Sequence, residues 1–376
     1  MIDHLAALSI HAFYAGELDT GRRACERLLS LDLPEETEHM ARRNRTWYTQ
    51  PLDELVACRH QRIDVEPAHD GWSTFNPTLA VVDGRLIGIV RSSNYKIVDG
   101  RYDMPAADGG MIRTMNLFVT FTDDLRVESC RPIAMPDYPK TGYPVDGLED
   151  CRLRHTQTGL GVSATLRNAA PWTDGRCRIA TADLDIERAA FANVRLLDGL
   201  AIQEHEKNWM PFMGDRGGWL YAASHNGHVV TVDPDPALPG GFQIAQRAPA
   251  PTIANRFRGG SQLIPFQGGW LGVVHEVAIL DNGQRAYEHR LVWLDDALRL
   301  ARISPWFAFR EPRAIEFAAG LAQMGDRLVV SLGVRDAEAW LVEVSAADAW
   351  SLLSPVTSAS TTATAATPAT SSSAAA

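Results

Sequence analysis

Two hydrophobic patterns divide the chain. In the first 60 residues Leu5, Leu8, Ile10 and Phe13 fall near helical spacing, and Ala24, Leu28 and Leu29 repeat it. Gly16 breaks the first run, Asp19-Thr20 can cap a second helix, and Leu33-Pro34-Glu35-Glu36 has the proline and acids of a third helix start. The pattern predicts a helical hairpin plus one helix, similar to a single tetratricopeptide unit. One such unit cannot bury its apolar face alone, so it should pack on the next domain or on another chain.

From residue 70 to 350 the pattern becomes short β-rich runs divided by turn residues. One unit recurs: an apolar strand, a Gly- or Asp-containing turn, and a second apolar strand. It occupies 76–91, 151–167, 209–225, 261–276 and 320–336. Aligned on Gly84, Gly159, Gly218, Gly269 and Asp326, the units lie 75, 59, 51 and 57 residues apart. Four-stranded blades with variable outer loops fit that spacing better than a β-sandwich does. The expected fold is mainly β: a five-bladed β-propeller over 61–353, preceded by the short α-helical segment 1–60. The Ser/Thr/Ala-rich stretch 354–376 cannot bury a core and should be disordered.

Each hairpin carries polar residues at the same edge. Before the first strands stand Asn76, Glu149-Asp150 with Arg152, Glu206-Lys207-Asn208, Arg258-Gly259-Gly260-Ser261 and Glu316. After the second strands stand Arg91, Arg167, His225, His275-Glu276 and Asp336. The start of one antiparallel strand and the end of its partner share an edge, so these groups should meet around one mouth of a central channel. Salt bridges such as Glu149 with Arg152 or Glu206 with Lys207 are the purely structural explanation. A concave ring of convergent polar groups is otherwise the default site. Carboxylates and amides suit sugar hydroxyls, and Lys207, Arg167, Arg258 and His275 suit a phosphate. Trp209, Trp219, Trp270 and Trp306 offer stacking faces, although Trp219 and Trp270 hold equivalent strand positions and read as core.

Bulk properties narrow the classes. The net charge is −10 and no Lys/Arg run occurs, so nucleic acid is not an expected partner. Five cysteines without a CxxC pair argue against a disulfide framework and a zinc site. The N-terminus lacks a basic n-region and a clean apolar h-region, so a cytoplasmic protein without a membrane span is expected. No metal and no cofactor is called for.

These motifs resemble glycoside hydrolase family 130, the β-mannoside phosphorylases, with the related family 108 mannosyltransferases. Asn76-Pro77 opening a strand that ends at Arg91 resembles that family's first blade. Glu149-Asp150-Cys151-Arg152 resembles its Glu-Asp-Pro-Arg motif, with Cys151 in the proline's place. His275 and Tyr287 resemble its phosphate ligands, Glu316 to Gly320 its fifth-blade turn, and Gly333-Val334-Arg335-Asp336 its closing Gly-Ala-Ala-Asp. Glu206 to Phe212 and Arg258 to Gln262 resemble a bacterial subgroup that often follows tetratricopeptide-like helices.

The resemblance implies inverting transfer of a glycosyl unit, mannosyl in the family, to or from phosphate or a phosphorylated donor. Asp150 is then the catalytic acid, acting through a sugar hydroxyl. Asn76, Arg91, Glu149, Arg152, Asn208, Glu316 and Asp336 would bind substrate, and Arg167, Lys207, Arg258, His275 and Tyr287 would bind phosphate. A phosphorylase needs only the acid, because its nucleophile is already an anion, whereas a hydrolase needs a second carboxylate. Glu206 or Glu276 would be that base under the hydrolytic alternative. A third alternative is a non-catalytic glycan-binding propeller in polysaccharide assembly. Expected partners are an oligosaccharide with a sugar phosphate or sugar nucleotide, inorganic phosphate, and a second copy or a glycosyltransferase docked on the N-terminal helices.

Overall fold

A computed structural model describes residues 1–98, 101–104, 109–157, 159–197, 203–235, 237 and 241–356. Three helices open it: α1 (Ile2–Tyr14), α2 (Leu18–Leu29) and α3 (Glu35–Arg45). Gly16 sits in the first break at φ +76°, a conformation glycine adopts without a Cβ clash. The second helix starts ahead of the expected cap. Glu17 is its N-cap, and Asp19 lies inside the first turn, where a carboxylate suits the helix dipole. The last turn of α3 carries Arg42, Arg43 and Arg45.

The remainder is mainly β in a propeller arrangement. Four sheets have the compact form of a blade. The first holds Ser73–Val82, Arg85–Ser93, Ile112–Phe121 and Val127–Pro132, with Val145–Asp146 as a fifth strand. The second holds Glu149–Thr156, Gly159–Leu166, Arg178–Asp185 and Ala190–Leu196, and the third Met210–Pro211, Trp219–His225, His228–Pro234 and Phe242–Pro249. The last holds Glu316–Met324, Arg327–Val334, Glu338–Ser345 and, from the other end of the chain, Cys58–Arg62. That N-terminal strand pairs antiparallel with Glu338–Ser345, covering an edge that would otherwise template aggregation.

The expectation of five equivalent blades is corrected here to four. Where a regular blade was expected around 261–276, the hairpin Gly269–Ile279 with Arg285–Leu294 is the centre of an eight-stranded sheet. Phe307–Ala308 joins this sheet and recruits Gln50–Pro51 in parallel, and Leu300–Ile303 recruits Ser354–Pro355. The short strand 354–355 also corrects the start of the expected disordered tail, whose residues from 357 lie outside the described ones. Among the described residues no helix is long and apolar enough to cross a membrane.

Turn chemistry explains the hairpins. Asp83-Gly84 and Gln267-Gly268 each place two consecutive residues at positive φ, the requirement of a two-residue type I′ turn. One apolar cluster draws Ile89, Leu153, Val273 and Leu332 from four of the sheets, while the third blade closes around Trp209, Trp219, Tyr221 and Val230.

Candidate active site

The site begins with a local irregularity repeated at the first-strand edge. Register shifts lie between Phe75 and Thr78 and between Glu149 and Arg152. Within them Asn76 has φ +47° and Asp150 φ +50°, and Asn208 at φ +62° precedes the third blade. Asn and Asp tolerate this left-handed region better than other side chains, and a bulge re-aims the side chain it carries. Gly333 completes the arrangement, because a Cβ there would overlap Asn76 Oδ1.

Asp150 is held by two donors. Asn76 Nδ2 donates to its Oδ1 at 2.9 Å, and Arg91 Nη1 donates to the same oxygen at 2.9 Å. Arg91 Nη2 lies 3.5 Å from Glu149 Oε2, and its Nε donates to Thr114 Oγ1 at 3.3 Å. Opposite, the Tyr95 hydroxyl donates to Asp336 Oδ2 at 2.9 Å. All of these but Thr114 line a cavity of about 1240 Å3, together with Asn208, Arg167, Lys207, Arg258, His275 and Tyr287. The His275 and Tyr287 rings stack with centroids 5.4 Å apart. Arg167 donates to Gly175 O at 2.8 Å and to the Tyr143 hydroxyl at 2.7 Å. Among the described residues Arg167, Lys207 and Arg258 have no carboxylate partner within 4 Å.

Burial opposes ionisation of Asp150, but the Arg91 charge, the Asn76 hydrogen bond and Arg152 outweigh it and hold its carboxyl below the usual range. Burial pushes Glu149 up against the pull of Arg91, and burial likewise raises Asp336. Burial and the neighbouring His289, Arg258, Arg152 and Lys207 hold His275 well below its ordinary value. These shifts favour a carboxylate at 150 and a neutral imidazole at 275, in a cavity also lined by Arg167, Lys207 and Arg258.

No protein-family model and no curated protein sequence matches this chain. Solved structures do. A glycosyl hydrolase from Bacteroides ovatus superposes with a TM-score of 0.54 at 14% identity, over 79% of this chain and 96% of that one. Another solved structure comes from the GH130 family of mannoside phosphorylases, which contains glycoside hydrolases that target β-1,2 mannosidic linkages in Candida mannan. It superposes with a TM-score of 0.53 at 12% identity, over 79% of this chain and 96% of that one. The likeness is one of fold.

Within that shared fold, eleven of the thirteen residues predicted for the site line the cavity: Asp150, Asn76, Arg91, Glu149, Asn208, Asp336, Arg167, Lys207, Arg258, His275 and Tyr287. Arg152 and Glu316 do not. Arg152 is buried beneath the wall, donating to Gly260 O at 2.5 Å, Asp150 O at 3.1 Å and Asn208 Oδ1 at 3.3 Å. Its guanidinium ties the Asp150 and Gly260 carbonyls to the Asn208 side chain. Glu316 accepts from the backbone N–H of Phe309 at 2.7 Å, Arg310 at 3.0 Å and Glu311 at 2.9 Å. Burial pushes its carboxyl up to about 7 against those three bonds; it is a loop anchor.

Other expectations at the mouth change too. Neither proposed water activator is free. Glu206 accepts from Gln203 N, Trp209 Nε1 and the Tyr221 hydroxyl, and Glu276 is gripped by Arg42 and Arg45. The salt bridges Glu149–Arg152 and Glu206–Lys207 are absent among the described residues, Glu149 turning to Arg91 instead. Among the described residues no tryptophan lines the cavity. Trp209 and Trp219 are core, and Trp306 is buried with Arg45 and Arg290 each 4.0 Å from its ring centroid. The aromatic lining is Tyr95, Tyr102, Tyr221, Phe257, Tyr287 and Phe317.

Some cavity residues were not anticipated. Tyr95 follows the second strand of the first blade by two residues, so the shared-edge rule extended by two positions finds it. Arg285 lies two residues before Tyr287 on one strand face, where period-2 alternation points to it. His39, Arg42 and Arg43 of α3 also line the wall, and no local pattern reveals that.

Proposed function

We propose that this protein is a carbohydrate-active enzyme that transfers a glycosyl unit, mannosyl in the first instance, between a glycan and phosphate with inversion. One observation carries the reading: Arg167, Lys207 and Arg258, cations without a carboxylate partner among the described residues, share a cavity with Asp150, while Glu206 and Glu276 are committed elsewhere. A phosphate oxygen attacks the anomeric carbon as the glycosidic C–O bond breaks, and the leaving oxygen takes a proton delivered by Asp150. Arg167, Lys207, Arg258, His275 and Tyr287 hold the phosphate; Asn76, Arg91, Glu149, Asn208 and Asp336 position the sugar. Arg91 and Asn76 hold Asp150 toward its carboxylate form, the form that accepts a proton from an acceptor hydroxyl in the synthetic direction. Covering it with sugar adds desolvation, which raises its pKa toward the acid form.

A thermal-shift series with inorganic phosphate, mannose 1-phosphate, GDP-mannose and manno-oligosaccharides tests this. A ligand at 100 times its Kd stabilises the native state by about 2.7 kcal/mol. Phosphate, mannose 1-phosphate and a manno-oligosaccharide should each raise the midpoint, and turnover of the oligosaccharide should require phosphate. Turnover at the same rate without phosphate would replace the reading with hydrolysis, and no shift with any ligand would refute it.

A further inference from the structure

Two of the residues read as holding the anion, His275 and Tyr287, stand on one hairpin, and its reverse side is an ionic problem. In the strands Gly269–Ile279 and Arg285–Leu294 the register pairs His275 with His289, Glu276 with Glu288, and Val277 with Tyr287. Alternate side chains leave a strand on opposite faces. His275 and Tyr287 face the cavity, so the residue after each, Glu276 and Glu288, faces away. Both glutamates are buried, at 1% and 0% exposure, and like charges directly opposite across a sheet repel.

The N-terminal helix α3 resolves this. Arg45 Nη2 lies 3.1 Å from Glu276 Oε2 and 2.5 Å from Glu288 Oε2, and its Nε donates to Glu288 at 2.9 Å. Arg42 pairs with Glu276, and the Thr49 hydroxyl donates to Glu288. Arg45 is itself 1% exposed, with its guanidinium 4.0 Å from the Trp306 ring centroid. At the hairpin tip Arg43 pairs with Asp281 at 3.0 Å. Three arginines of one helix thus grip three acids of one hairpin. The exposed Arg43 pair adds little, but breaking a buried pair strands a charge.

We infer that α3 is a structural part of the anion-binding wall, with Arg45 the positioning residue that, aided by Arg42, sets His275 and Tyr287 by neutralising the glutamate beside each. What that wall binds rests on the phosphate reading above. The helical segment is then no detachable module: without it two buried carboxylates face each other, and the hairpin must move.

The test uses the full-length protein. Arg45→Met is compared with wild type and with the charge-balanced double variant Arg45→Met/Glu288→Gln. Inorganic phosphate is titrated calorimetrically, and amide hydrogen exchange is followed across 269–294 and, as a control, 149–156. Arg45→Met should weaken phosphate binding at least about tenfold, because displacements of an ångström at a site cost that much or more. It should speed exchange in 269–294 and leave 149–156 unchanged, and the double variant should recover phosphate binding to within about threefold. Phosphate binding within twofold of wild type, or unchanged exchange in the hairpin, overturns the inference. Loss of melting temperature without selective loss of phosphate would mark Arg45 as merely structural and also overturn it. Should wild type bind no phosphate, the functional reading fails separately, and hairpin exchange alone then decides whether α3 is a brace. If Arg45→Met does not fold, Arg45→Lys, which keeps the charge and loses the bidentate fork, takes the same two measurements.

Discussion

Replacing Arg91 by methionine isolates the electrostatics of the mouth. Arg91 is 4% exposed and sits between two consecutive carboxylates, 2.9 Å from Asp150 and 3.5 Å from Glu149. Methionine keeps the length of the side chain and removes the charge. Asn76 still donates to Asp150, but Glu149 loses its one cation within 4 Å among the described residues. Arg91 is buried but its carboxylate partners keep 17% and 23% of their side-chain exposure, so the cost falls at the low end of the range of about 3–5 kcal/mol for a fully buried pair. The sign of its pH dependence follows from the shifts. The depressed Asp150 contributes stability that is complete above its unfolded pKa of about 3.9 and is lost as pH falls through its lower folded value. The raised Glu149 acts oppositely, costing stability as pH rises past about 4.3, and it costs more when Arg91 is gone. Both effects widen the gap between wild type and variant as pH rises. Urea denaturation should therefore show a loss of about 3 kcal/mol at pH 8, shrinking at pH 4 as the carboxylates protonate. A loss below about 1 kcal/mol, the range of an exposed pair, or one equal at both pH values, would refute the account of this ion cluster.

Other consequences are as direct. Asp150→Asn should cut turnover by about 10²–10⁴-fold, the usual worth of a general acid, while oligosaccharide affinity by calorimetry stays near wild type. Asparagine accepts φ +50°, so the circular dichroism spectrum should not change. Lys207→Gln should raise the KM for phosphate by about tenfold or more, equivalent to about 1.4 kcal/mol of binding, with the KM for oligosaccharide nearly constant. Equal changes in both constants would contradict the division of the cavity into phosphate and sugar walls. Gly333→Ala drives a methyl into Asn76 and should cost about 1–3 kcal/mol in chemical denaturation, with a loss of activity that Ala164→Gly, in the core of the second blade, does not reproduce.

Much of the site was legible because its logic is local. Period-2 alternation and turn residues located the paired strands, and the geometry of an antiparallel hairpin placed residues as far apart as Asn76 and Asp336 in one mouth. Ten of the predicted residues reached the cavity on that rule, and Tyr287, expected from the family resemblance, joined them. Arg152 and Glu316 obeyed it and still turned inward. Whether a strand-end polar group meets solvent or a neighbouring backbone depends on how closely the next sheet approaches, as Gly260 O does to Arg152. The tryptophans failed as sugar platforms for a similar reason: large apolar rings go where packing can cover them.

What the chain's own order of residues determined was the pattern of hairpins, the bulge-tolerant Asn and Asp at their edges, and the chemical character of the mouth. Only the tertiary structure decided that Gln50–Pro51 and Cys58–Arg62 would join sheets made by the far end of the chain, that one expected blade would become an eight-stranded sheet, and that α3 would brace the anion wall. Arg45 and Glu288 are separated by 243 residues. Contacts at that range depend on loop closures and on the desolvation of both partners at once, and nothing in the spacing of either residue with its neighbours encodes them.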